Sequence, residues 1–140
     1  QVSDEDAARL IGAFRGAGFH VPEGAETLFS IDTWARASLG GRDVDIALGA
    51  TKFDLQAIRR AVRVPIFGRT VPIAAAEDLI LYKLAAHRYK DLGHVESIIA
   101  RQGRRLDLAH LRIWAQWLAE ATKKFEIPGT LEKFLQERGL

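Results

Sequence analysis

The chain of 140 residues contains no cysteine and no methionine. The first absence excludes disulfides, thiolate nucleophiles and sulfur-ligated metals together. It is also compatible with a reducing cytosol, so a cytoplasmic location is expected. The second is notable because the chain opens on Gln1, which reads as a processed or excised piece of a longer product. Proline is scarce, at 4 residues, and no apolar run approaches the length of a bilayer span. No membrane partner, signal peptide or basic targeting segment is therefore expected. What remains is the composition of a water-soluble globular domain, 48% hydrophobic and 27% charged. A net charge of +2 is too small to diagnose nucleic-acid binding.

Ser3 and Asp6 form a capping-box pattern, and Leu10, Ile11 and Phe14 give an apolar stripe that predicts a first helix ending near Gly18. From Thr27 to Leu48 the pattern turns β-prone, as TLFSI, ARASL and RDVDIAL, with Gly40-Gly41 as the turn between the last two. Alternation in RDVDIAL puts Val44, Ile46 and Leu48 on one face and Asp43, Asp45 and Ala47 on the other. Aspartate is depleted in strands, so the pair calls for a metal, a basic partner or plain solvent exposure. Phe53 to Arg60 reads as a short helix. VRVPIFGRTVPI follows as two extended runs around Gly68, each with a proline suited to an edge.

Residues 76–95 carry the most informative pattern. Lys83, His87, Lys90 and His94 are spaced four, three and four apart, which predicts one continuous cationic stripe on a helix with Gly93 as its weak point. Such a stripe suits a negative ligand or a solvated face. The two histidines lie two turns apart, too far to share a zinc ion. Helices are further expected through VESIIARQ, after a cap at Asp107, and in TLEKFLQERGL beyond a break at Pro128-Gly129. Trp114 and Trp117 read as core or partner-facing anchors. Two arginine clusters, Arg59, Arg60 and Arg63, then Arg101, Arg104 and Arg105, read as solvated surface or a phosphate track. The outline is an α+β domain of one piece. Residues 1–74 would be its sheet-bearing core, and 75–140 a helical part packed on it.

The order of a strand carboxylate, a hairpin and then Glu77-Asp78-Leu79 through Lys83, Ala86, Arg88, Lys90 and Asp91 resembles the minimal nucleotidyltransferase superfamily, in the branch of the AbiEii-type toxins. The resemblance spans roughly Ser3 to Trp117. It implies a small mixed or antiparallel sheet with flanking helices, and transfer of a nucleotide from a nucleoside triphosphate to an RNA end or a protein side chain. It also implies Mg²⁺ as cofactor and a possible antitoxin partner or self-association. By that resemblance Asp45 is the third carboxylate, acting as metal ligand or base, with Asp43 beside it as a further metal contact. Lys83 and Lys90 would contact triphosphate oxygens, Arg88 would pair with phosphate or form a surface ion pair with Asp91 three residues on, and Asp91 would orient a lysine or the nucleotide. The family's glycine turn followed by an Asp-x-Asp strand has no counterpart here. Gly40-Gly41 stands only one residue before Asp43, which leaves no room for the intervening helical turns. The resemblance thus implies an N-terminally incomplete core, inactive alone. The alternative is a non-catalytic module of the same fold that binds nucleic acid or protein.

Overall fold

The computed structural model describes residues 3–27 and 34–140, and it is α+β: helices with two small antiparallel two-stranded sheets. The chain divides into two compact units, Gln1–Ala50 and Thr51–Leu140. The expected run TLFSI falls mostly outside the described residues. No helix among the described residues is long and apolar enough to cross a membrane.

In the first unit, helix α1 spans Asp4–Gly16. Its start follows the expected capping chemistry: Ser3 Oγ accepts from the Asp6 amide at 3.1 Å and donates to the Asp6 carboxylate at 2.8 Å. Asp4, Glu5 and Asp6 occupy the first turn, where the helix dipole favours negative charge. Strands β1 (Trp34–Leu39) and β2 (Arg42–Ala47) form a hairpin closed by Gly40 and Gly41, both with positive φ. Two successive left-handed residues define the type I′ turn that matches strand twist, which is why two glycines stand there. A small core joins α1 to the sheet: Ala7 and Ile11 from the helix meet Ala35 and Ala37 from β1. Phe14 and Phe19 pack edge to face beside it, centroids 5.2 Å apart.

The second unit opens with α2 (Lys52–Arg60), started by a complete capping box between Thr51 and Asp54. Strands β3 (Val62–Ile66) and β4 (Arg69–Ile73) make the second hairpin. Helices α3 (Ala76–Ala86), α4 (Tyr89–Gln102), α5 (Leu108–Thr122) and α6 (Ile127–Gln136) follow, with a 3₁₀ turn at Gly103–Arg105. Their core joins Phe53 of α2 to Ile80, Leu81 and Leu84 of α3, Val95 and Ile99 of α4, Leu111 of α5, and Leu131 and Leu135 of α6.

Two expectations are corrected. The single helix carrying Lys83, His87, Lys90 and His94 is two helices, so the continuous stripe does not exist. His87 ends α3 in the left-handed conformation, φ 53° and ψ 27°, and Arg88 is extended. Beyond the break the core resumes with Val95 and Ile99, and Asp91 is buried against Lys83 and Arg88. Gly93 stands inside α4 and breaks nothing. The second correction concerns Pro128-Gly129, which lies in the first turn of α6, where a missing N–H breaks no helical bond. The chain turns earlier, at left-handed Lys123.

Candidate functional site

Three charged clusters could carry chemistry, and each is built differently. On the first hairpin, Arg36 lies opposite Asp45 in the strand register. Its Nε donates to Asp45 Oδ1 at 2.7 Å and its Nη2 to Oδ2 at 3.3 Å, a fork-on-fork pair. Asp43 is 3.9 Å from the same guanidinium. The hydrogen bond from Arg36 holds the Asp45 carboxyl below its usual range. Side chains of Asp43 and Asp45 are 64% and 62% exposed, so both expected metal contacts sit in water beside one cation. A Mg²⁺ ion is held by one or two carboxylates, with water and phosphate oxygens completing its shell, so Asp45 would have to share its oxygens between Arg36 and the ion. Among the described residues no three His, Asp or Glu side chains gather to hold a metal.

The second cluster lies at the elbow between α3 and α4. Turning the chain at His87 brings Lys83 and Arg88 onto the same carboxylate. Lys83 Nζ lies 3.3 Å from Asp91 Oδ1, and Arg88 Nε donates to Oδ2 at 2.5 Å. Asp91 is almost fully buried. The Arg88 hydrogen bond first, then that of Lys83, pulls its carboxyl below the ordinary value despite the opposing effect of desolvation. Lys90 is exposed in the first turn of α4. Lys124 Nζ donates to the Ala85 carbonyl at 2.5 Å, which adds a cation at the end of α3. Nδ1 of His87 is buried without a hydrogen-bond partner. The elbow therefore sets Lys83 and Arg88 on one carboxylate, with Lys90 exposed next to Asp91 in sequence and Lys124 on the last turn of α3. Of the three expected phosphate contacts, Lys83 and Arg88 meet at Asp91, and Lys90 is exposed in the same first turn of α4.

Sequence reasoning missed the third cluster. Asp78 is completely buried at the start of α3. Its Oδ1 meets His110 Nε2 at 2.7 Å, and Arg60 Nε donates to its Oδ2 at 3.3 Å. Arg60 Nη2 also donates to Glu77 Oε2 at 3.2 Å, and Glu77 Oε1 accepts from the Asp107 amide at 3.0 Å. One network thus ties α2, α3 and α5. Beside it, the Tyr82 hydroxyl donates to Asp54 at 2.7 Å, and burial foremost raises the phenol above its usual range. Arg60 leaves the surface cluster to which its sequence neighbours Arg59 and Arg63 belong. The available signal was Asp78 lying three residues before Leu81, on the stripe that α3 turns to the core.

A separate cavity of about 490 Å³ is lined by Val62, Ile73, Leu79, Ile98 and Arg101 among others, and shares no residue with the elbow. Compared with protein families, with curated proteins and with solved structures, the chain matches none. Its class is α+β.

Proposed function

We propose that this is a nucleotidyltransferase-like protein whose α3–α4 elbow grips the polyphosphate of a nucleoside triphosphate. The observation that supports this is the convergence of Lys83 and Arg88 on Asp91 with Lys90 exposed beside them. Lysine supplies a mobile point charge and arginine a planar fork, and phosphate oxygens accept from both. Asp91 keeps the two cations together in the absence of ligand. In this reading the whole protein moves a nucleotide onto an RNA end or a protein side chain, as a toxin countered by an antitoxin. For Mg²⁺ to join the transfer, Asp45 would share its carboxylate between Arg36 and the ion, with Asp43 beside it.

A second reading, a non-catalytic module of the same fold, is favoured by one observation: Arg36 already holds the Asp45 carboxylate in a forked pair. A thermal-shift series separates the two. ATP with Mg²⁺ is expected to raise the melting temperature of the chain, ATP alone less so, and Lys83→Ala is expected to lose most of the rise. RNA binding that weakens steeply with salt and ignores ATP would replace the first reading by the second. A melting temperature indifferent to both ligands would contradict either.

A further inference from the structure

The two hairpins present opposite kinds of edge. A two-residue loop is closed by a hydrogen-bonded pair, after which bonded and non-bonded pairs alternate along the ladder. In the second hairpin Ile66 and Arg69 are the closing pair, so Pro65–Thr70 and Arg63–Pro72 point their backbone groups outward. Each strand therefore carries a proline where an N–H would otherwise invite another strand, and both edges are blunted. In the first hairpin Leu39 and Arg42 close the loop, so Ser38–Asp43 and Arg36–Asp45 point outward. Ser38 confirms the alternation, for its outward N–H and C=O exchange bonds of 2.9 and 2.8 Å with His20. On the other side, β2 offers the outward backbone of Asp43 and Asp45, with no proline and no backbone partner among the described residues.

The core also thins at β2. Ala35 and Ala37 of β1 are buried, whereas Val44, on the same face of β2, is 38% exposed. A two-stranded sheet is marginal alone, and a third strand beside β2 would continue the apolar layer over Val44 and Ile46. The opposite face carries Asp43 and Asp45 with a single arginine between them.

We infer that β2 is an acceptor edge for an extended peptide of a partner protein, one that alternates apolar residues with lysine or arginine. Main-chain bonds to Asp43 and Asp45 supply affinity. The apolar residues cover Val44 and Ile46, and the cations face the two carboxylates. A second copy of the chain fits poorly. Two β2 edges paired antiparallel about Val44 would set Asp43 of each against Asp45 of the other, gathering four carboxylates on one face.

The test uses a capped peptide of alternating lysine and valine, about six residues long to match an ordinary strand, followed by amide hydrogen exchange on the whole chain. Saturable binding is expected to slow exchange at Asp43 and Asp45 by about tenfold or more. A lysine–glycine peptide of equal charge should not do so. Asp43→Pro should abolish the effect while Val44 stays protected by its bond to Ala37, and Asp45→Pro repeats the test at the other outward position. Three results overturn the inference. Asp43 and Asp45 amides could already be protected in the free chain in proportion to its concentration, which would make a second copy the occupant. They could be protected at every concentration, which would mean the edge is closed. Or the lysine–valine peptide could leave their exchange unchanged at millimolar concentration.

Discussion

Asp45 and Asp78 are both held by an arginine, yet one lies in water and the other in the core. Arg36 grips Asp45 across a strand pair with both side chains more than half exposed. Arg60 and His110 meet Asp78 where no solvent reaches it. In water an ion pair competes with hydration and salt and contributes little. In the core the same carboxylate has no substitute for its partners, so removing one leaves an uncompensated charge or donor. The difference teaches where structural and functional charge reside. The interior network fastens α2, α3 and α5, while Asp45 is left available at an edge. The elbow lies between these extremes, with a buried carboxylate and cations that reach the surface.

The comparison breaks first at Asp78. Asp78→Ala leaves buried His110 without its carboxylate and Arg60 with Glu77 alone, and is expected to cost about 3 kcal/mol in urea unfolding. A loss no larger than that of Asp45→Ala would erase the distinction between the two sites. Next comes the elbow, where Asp91→Asn should weaken folding but tighten binding of inorganic tripolyphosphate by about three- to tenfold. It frees Lys83 and Arg88 from their internal partner, and a tenfold gain corresponds to about 1.4 kcal/mol. A titration showing weaker anion binding in this variant would make Asp91 a ligand contact instead of a competitor.

Acid should separate the clusters more gently. Asp91 has a lowered pKa in the folded chain, caused first by Arg88. The unfolded chain therefore takes up its proton at higher pH than the folded one. The stability Asp91 contributes is present above the ordinary aspartate value of about 4 and is lost as pH falls through the lower folded value. Arg88→Ala should shrink that acid-dependent loss in urea midpoints measured from neutral pH downward. An identical profile would show that other carboxylates dominate. The smallest effect is expected at the surface: Arg36→Ala should leave the urea midpoint nearly unchanged, while letting the Asp45 carboxyl rise toward its ordinary value in an NMR titration. A large destabilisation would show that the exposed pair holds the hairpin together.

Local rules carried much of the fold. Ser3 and Asp6 cap α1, Asp107 caps α5, and Gly40-Gly41 makes the turn with Asp43 and Asp45 on one face, all as the sequence predicts. The elbow was hidden because spacing alone cannot distinguish one long helix from two that fold back. Lys83, His87, Lys90 and His94 keep a perfect helical period across a break at left-handed His87. The Asp78 network was hidden for a related reason. Arg60 and His110 lie 18 and 32 residues from Asp78, and nothing local in either segment announces a common partner. Pro128 misled in the opposite sense, since the residue that breaks a helix interior is welcome in its first turn.

The most direct test of the elbow is calorimetric titration of the intact chain with inorganic tripolyphosphate at low salt. The account predicts saturable binding that falls as salt is raised, is weakened about tenfold or more by Lys83→Ala, and is unchanged by Arg112→Gln, whose parent pairs with Glu132 and touches none of the elbow residues by ion pair. Absence of binding, or equal losses in both variants, would contradict it.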